Sequence, residues 1–344
     1  MCKRVAHSID AADGPRYREL RMRLVHLTLL LTATSCSSPT QNARAPFSAQ
    51  GVKQSTTASA FVGATKQGTY AAGTEAFGES KSADMETVFA IGSLSKTLTA
   101  ILMYDAIQDE LASLELQVAD VLPELEHRFA ETTVEECLRH QSLIPDYVAA
   151  VNEELNSPST EEVLSWIAAQ PPLATRGYSN SNYLILGLLL ESLRGEPWEK
   201  LVHERAQGFG MGATSVCSSN DSGRARGYTR VDPNAPLPAR RLTPDASYAA
   251  GAICSTVRDW TVFLKKLQED AELLEWLRVD DRTPYGRGPE HFRIAGRTYW
   301  GHSGKVSGFS AFWGQQSGDE AWFVAFMNSD SADIRAIAEH MLDE

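Results

Sequence analysis

Near the C-terminus two aromatic and apolar runs, GFSAFWGQQ from Gly308 to Gln316 and EAWFVAFMN from Glu320 to Asn328, are separated only by Ser317-Gly318-Asp319. Aromatic and β-branched residues suit a pleated surface and a short polar stretch with glycine suits a turn, so this segment predicts a β-hairpin. A second hairpin is predicted between Ala58 and Gly73, where Ala-Phe-Val-Gly-Ala-Thr and Thr-Tyr-Ala-Ala-Gly flank Lys66-Gln67-Gly68, and Gly68 can take a positive φ in the turn. The last segment, Ile334 to Leu342, has apolar residues at helical spacing after Ser331 and Asp333, either of which can cap a helix. The middle differs: Thr97–Leu111, Thr132–Arg139, Thr160–Ala169 and Asn182–Arg194 all carry helical periodicity. Strands early, helices in the middle and strands late predict an α/β plus α fold. An antiparallel β-sheet flanked by helices is expected, formed from both chain ends (about 47–105 and 245–344), with an inserted mostly helical domain (about 106–244). A cleft is expected where two such parts meet.

A chain of 344 residues agrees with about two domains, or one with a large insertion. With 43% hydrophobic and 22% charged residues it can bury a sizeable core. The net charge of -12, with no stripe of Lys and Arg, speaks against nucleic acid as a partner. Five cysteines are present, Cys2, Cys36, Cys137, Cys217 and Cys254, at spacings that fit no zinc pattern. A Cys217–Cys254 bridge is open to an oxidising compartment, but isolated buried thiols are the expectation. No metal ligand set and no nucleotide-binding fingerprint is found, so no cofactor is expected.

Arg21-Met22-Arg23 precedes an apolar run from Leu24 to Leu31, interrupted by His26 and Thr28, and then Ala33-Thr34-Ser35-Cys36. The run is too short to span a bilayer and is closed by small residues, the layout of a signal peptide over residues 1–35. Residues 1–21 precede Met22, which would start a conventional signal peptide. Ser35-Cys36 resembles a bacterial lipobox, in which Cys36 is lipidated. Ala33 departs from the usual Leu, so ordinary cleavage after a small residue competes with lipidation. Either route exports the protein to the cell envelope or periplasm, and under the lipidation reading, which is favoured, a lipid at Cys36 is its membrane anchor. Residues 36–46, rich in Ser, Pro, Asn and Ala, read as a tether.

The segment Phe89-Ala90-Ile91-Gly92-Ser93-Leu94-Ser95-Lys96 runs into a predicted helix. Ser93 falls in its first turn, at the positive end of the helix dipole, and a spacing of three puts Lys96 on the same face. An amine beside a hydroxyl is one way to activate a weak nucleophile. Alone, Ser-x-x-Lys reads more readily as a capped helix start with a solvated Lys. Tyr178-Ser179-Asn180 precedes the apolar helix Leu184–Leu190, and Trp300-Gly301-His302-Ser303-Gly304 leads into the C-terminal hairpin.

In this order, Ser-x-x-Lys, Tyr-x-Asn and His-x-Gly resemble the serine β-lactamase and penicillin-binding family. The nearest likeness is the branch with class C β-lactamases, D-alanyl-D-alanine carboxypeptidases and related esterases. The resemblance runs from about residue 47 to the C-terminus and includes Leu122-Pro123-Glu124, Leu138-Arg139-His140 with Pro145-Asp146-Tyr147, Met211-Gly212-Ala213-Thr214 and Ser255-Thr256. It implies a β-lactamase/transpeptidase-like fold in which Ser93 forms an acyl-enzyme and Lys96 lowers its proton affinity. Tyr178 would act as general acid/base, with a phenol pKa reduced by nearby ammonium charge, and Asn180 would bind a substrate amide and steady Lys96. His302, Ser303, Gly304 and Lys305 would line the strand edge along which substrate pairs, His302 replacing the Lys of many β-lactamases. The backbone N–H groups of Ser93 and Lys305 would form the oxyanion hole. Leu143, Leu173 and Ala252 stand where the family commonly has glycine. His127, His140 and His203 read as surface or packing residues.

The expected activity is hydrolysis of a small ester, a D-amino-acid peptide or amide, or a β-lactam, peptidoglycan fragments included, with carboxypeptidase-like or esterase-like action ranked above an efficient β-lactamase. The competing reading is a non-catalytic cell-envelope binding protein on the same fold.

Overall fold

A computed structural model describes residues 60–148, 158–218, 223–232, 235–240, 243–280, 283–331 and 333–343. Six strands form its main sheet: β1 (Ala60–Thr65), β2 (Thr69–Gly73), β8 (Glu290–Ile294), β9 (Arg297–Val306), β10 (Phe309–Gln316) and β11 (Trp322–Met327). They pair antiparallel in the order β2-β1-β11-β10-β9-β8, so the sheet is built from both chain ends. The β10–β11 hairpin turns through Gly318 at φ +74, as its sequence predicts. The β1–β2 turn is closed differently from expectation. Gly68 does not take a positive φ; instead the Thr65 hydroxyl accepts from the Gln67 and Gly68 amides at 3.2 and 3.3 Å. A side-chain oxygen that satisfies the turn amides removes the need for left-handed backbone.

Every residue of β11 is buried, although a strand with one wet face would alternate. Its Val324 and Phe326 enter one core and Phe323, Ala325 and Met327 the other. The second core is closed by the C-terminal helix Ile334–Leu342, which buries Ile334, Ile337, Ala338 and Met341. The first is shared with the helical layer, which explains why periodicity alone sees an apolar run.

In chain order the helices are α1 (Ser95–Gln108), α2 (Glu126–Phe129), α3 (Val134–Leu138), α4 (Thr160–Ala169), α5 (Asn180–Arg194), α6 (Trp198–Phe209), α7 (Pro244–Gly251), α8 (Val257–Glu269), α9 (Ala271–Arg278) and α10 (Ile334–Leu342). Capping boxes at Thr133–Glu136 and Ser159–Glu162 start α3 and α4. α1 is buried nearly all round, the signature of a helix at the centre of a domain rather than on its surface. Short strands absent from the sequence reading complete the fold: β3 (Phe89–Ala90), β4 (Ser215–Val216) and β7 (Ile253–Ser255) pair as β3-β7-β4, and β5 (Tyr228–Asp232) pairs with β6 (Ala235–Pro238). The β3-β7-β4 sheet corrects the cysteine expectation. It lays Ser215 opposite Cys254, and Cys217 is joined to Cys254 in a disulfide, leaving Cys137 as a buried free thiol among the described residues. Two-residue strands are too short to be read from local sequence, so nothing there announced the pairing.

Candidate active site

The chain leaves β3 through Ile91 and enters a single 3-10 turn, Gly92–Leu94, before α1 begins. Gly92 has φ +53, and a Cβ there would lie 3.0 Å from the Lys305 amide nitrogen. A Cβ on Gly304 would lie 2.1 Å from the Ile91 carbonyl oxygen. Glycine at both positions lets the nucleophile turn press against β9. Ser93 and the Lys305 backbone thus share one wall of a cleft of about 930 Å³, which Tyr178, Asn180, His302 and Glu290 also line.

Lys96 is fully buried. Its Nζ lies 2.9 Å from Ser93 Oγ and donates to Asn180 Oδ1 at 2.8 Å and to the Ala250 carbonyl at 2.7 Å. Burial pulls its pKa down to about 7, partly opposed by the negative charge of Asp146. As a free amine, Lys96 has two protons and one lone pair. Asn180 and Ala250 take the protons, which turns the lone pair toward Ser93 Oγ. The Ala250 carbonyl is available because it lies in the last turn of α7, where no later helical amide reaches it.

Tyr178 Oη lies 2.8 Å from Ser93 Oγ on the other side and 3.4 Å from Asn180 Oδ1. The expected lowering of its phenol pKa is not found. Burial pushes it above the usual value, with the Ser93 hydrogen bond opposing. The burial of the phenol itself dominates, and Lys96, 5.1 Å from the Tyr178 ring centre, is drawn by burial to a pKa of about 7, so its amine is only partly protonated near neutral pH.

Asn180 starts α5 and is fixed from behind, its Nδ2 donating to Asp146 at 2.9 and 3.3 Å. Asp146, which the sequence reading treated as part of a connecting segment, therefore orients the amide and biases the lysine charge. His140, read as a packing or surface residue, is buried with φ +52. Its Nδ1 accepts from the Ser179 amide at 3.2 Å, and its ring lies 4.3 Å from that of Tyr178. The only sequence cue to either residue was its place in the segment between Leu138 and Tyr147.

On β9, His302 is buried and its Nδ1 donates to the Ser303 carbonyl at 2.5 Å. That contact leaves Nε2 as an acceptor, and Nε2 has no hydrogen-bond partner among the described residues. Burial lowers the His302 pKa to about 4 against a raising influence from Glu290, so the ring is neutral near pH 7. Ser303 does not offer free groups to the cleft. Its amide and hydroxyl both donate to Glu290 Oε1, at 3.0 and 2.9 Å. Of the family-glycine departures, Leu143 and Leu173 are exposed and joined by a Leu173 amide to Leu143 carbonyl bond of 2.8 Å, whereas Ala252 is buried. Cys36 lies outside the described residues. Among those residues no cluster of His, Cys, Asp and Glu is placed to hold a metal ion.

An antiparallel sheet flanked by helices, with a serine at the head of the central helix facing a buried lysine, is the fold of serine hydrolases of the β-lactamase and penicillin-binding kind. A family model described as Beta-lactamase matches residues 47–342, and the chain belongs to that family. Solved structures agree on the fold. A D-stereospecific amidohydrolase from Streptomyces sp. superposes with a TM-score of 0.71 at 20% identity over 85% of this chain and 96% of that one. A D-amino acid amidase from Ochrobactrum anthropi gives 0.71 at 21% identity over 86% and 97%. A β-lactamase/D-alanine carboxypeptidase from Pseudomonas syringae gives 0.71 at 18% over 85% and 95%.

Proposed function

We propose that this serine hydrolase cleaves a small ester or a D-amino-acid amide or peptide through an acyl-enzyme on Ser93. The observation that carries the reading is the placement of Ser93 Oγ between Lys96 Nζ and Tyr178 Oη, with the lysine buried and near its midpoint at neutral pH. Lys96 takes the Ser93 proton as Oγ bonds to the substrate carbonyl carbon. The oxyanion forms where the Ser93 and Lys305 amides converge. Tyr178 then donates its proton to the departing nitrogen or oxygen and is reprotonated from Lys96, so the carbon–leaving-group bond breaks without releasing an anion. Water repeats the sequence in reverse: its proton is taken by the same pair, its oxygen bonds to the acyl carbon, and Ser93 regains a proton. Asn180 holds the substrate amide and Lys96 together. The amidase and carboxypeptidase names among the structural relatives support a substrate of D-amino-acid type. Export to the cell envelope, with a lipid on Cys36, is part of the same proposal.

The test is covalent labelling with an activated fluorophosphonate, read by mass spectrometry of the active-site peptide. An adduct on Ser93 that is lost in Ser93→Ala is expected. A folded protein that takes no label would return the chain to the binding-protein reading.

A further inference from the structure

Besides the serine, lysine and tyrosine, the cleft is lined by three carboxylates: Asp330 accepts from the Gly308 amide and Asp333 from the Ala336 amide at the head of α10, whereas Glu290 stands on the strand beside His302 and Ser303. Glu290 opens β8, opposite Gly301, so β8 ends as a partner of β9 just before His302. From there to Val306 the outer edge of β9 is paired to no strand among the described residues. Glu290 folds its side chain over the first amide of that edge, through the bonds from Ser303 N and Oγ to Oε1. Oε2 has no hydrogen-bond partner and Glu290 no ion pair among the described residues, although the side chain lines the cleft.

The position of this charge relative to the chemistry follows from the site. The oxyanion lies at the Ser93 and Lys305 amides, and the leaving group lies toward Tyr178, which must protonate it. The Tyr178 ring is 6.3 Å from that of His302, the residue next to Ser303, and the Glu290 charge is felt at both. An extended substrate can pair with Lys305, but on the leaving-group side it meets the Glu290 carboxylate. Among the described residues no cation forms an ion pair with Glu290. His302 is neutral there. Arg335 also lines the cleft, with its guanidinium over the Phe292 and Phe312 rings. Lys305 and Arg240 line the cleft too, as do Asp330 and Asp333.

We propose that Glu290 is a specificity-determining residue which excludes leaving groups bearing a carboxylate. The substrates are then esters and amides whose leaving group is neutral or a protonated amine. The inference rests on the Ser93 acyl-enzyme reading and deepens it: it moves the protein away from carboxypeptidase action, whose leaving group is an amino acid with a free carboxylate, and toward an amidase or esterase. The covalent step is unchanged. Ser93 Oγ bonds to the acyl carbon, the C–N or C–O bond breaks, and the leaving atom takes its proton from Tyr178.

The experiment uses two activated esters matched except for one charge, 4-nitrophenyl acetate and 3-carboxy-4-nitrophenyl acetate, with fluorophosphonate labelling of Ser93 measured alongside. In the wild-type protein kcat/KM is expected to favour the neutral ester by about tenfold or more, from charge repulsion at short range in a partly desolvated cleft. Glu290→Gln keeps an acceptor for Ser303 and loses the charge, and should bring the ratio below about threefold by raising the rate on the carboxylate ester. Glu290→Asp keeps the charge and should retain the discrimination. A wild-type ratio near one, or a ratio that Glu290→Gln leaves unchanged while Ser93 still labels, overturns the assignment of Glu290 alone. A wild-type protein that does not label overturns the acyl-enzyme reading, and this inference with it.

Discussion

Lys96 sits at the point where burial and hydrogen bonding meet, and its protonation sets the pH response of the site. With burial holding its pKa at about 7, the amine is protonated below that value and cannot accept the Ser93 proton. kcat/KM for a neutral ester is therefore expected to rise with pH through an apparent pKa of about 7 and then level. The Asp146 charge favours the ammonium form, so removing it in Asp146→Asn makes the amine easier to deprotonate and should move that limb to lower pH. A limb that stays fixed or moves upward in this variant would show that Asp146 does not act on Lys96. The pair Ser93 and Lys96 was legible because a three-residue spacing on a helix is a local property. Asp146, His140 and Glu290 were not, because each acts across the fold: Asp146 on Asn180, His140 on the Tyr178 ring, Glu290 on Ser303. The direction of the Tyr178 shift was misread for the same reason. A sequence shows that a lysine is near, and only packing shows that the phenol is buried and that burial draws the lysine toward its neutral form.

Two contacts between elements hold the nucleophile turn in place. The first is the approach of β9 to Ile91–Ser93. In Gly304→Ala the new Cβ would stand 2.1 Å from a backbone oxygen that no side-chain rotation can move. β9 must therefore shift, carrying the Lys305 amide with it. A displacement of about 1 Å at such a site can cost on the order of a hundredfold in rate. The variant is expected to stay folded by circular dichroism and to acylate at that reduced rate, and near-normal labelling would show that β9 tolerates the shift. The second is the disulfide between Cys217 and Cys254, which ties the end of β4 to β7, the strand that pairs with β3 just before Ser93. Its ring closes a separation of 37 residues, and chain-entropy reasoning assigns such a crosslink about 4 kcal/mol. Replacing both cysteines by serine should lower the unfolding free energy in urea by a comparable amount, and a loss below about 1 kcal/mol would make the bridge incidental. Elements with a long periodic signature, the C-terminal hairpin and the helices from Thr97 to Arg194, could be read from sequence. Two-residue strands β3 and β4 could not, and with them the cysteine pairing stayed hidden.

At the scale of the whole chain, all the groups assigned to chemistry lie between Ser93 and Lys305, and the first described strand begins at Ala60. The two ends of that region meet in the sheet, with β1 paired to β11 of the C-terminal hairpin. We propose that the N-terminal segment serves delivery rather than catalysis. Two independent features support export. One is the short apolar run closed by small residues before Cys36, and the other is a disulfide, which persists in an oxidising compartment and is uncommon in a reducing one. These roles separate cleanly in an experiment. Deleting residues 1–46 should leave the rate of Ser93 labelling within about twofold, since labelling reads only the site, while it should abolish recovery of the protein from the membrane fraction of a bacterial host. Mass spectrometry of the full chain recovered from that fraction should find Cys36 as a lipid-modified N-terminus. An unmodified N-terminus at another residue would keep export by ordinary cleavage and reject the anchor. A deletion that destroys labelling would instead mean that the first 46 residues take part in the fold that holds Ser93.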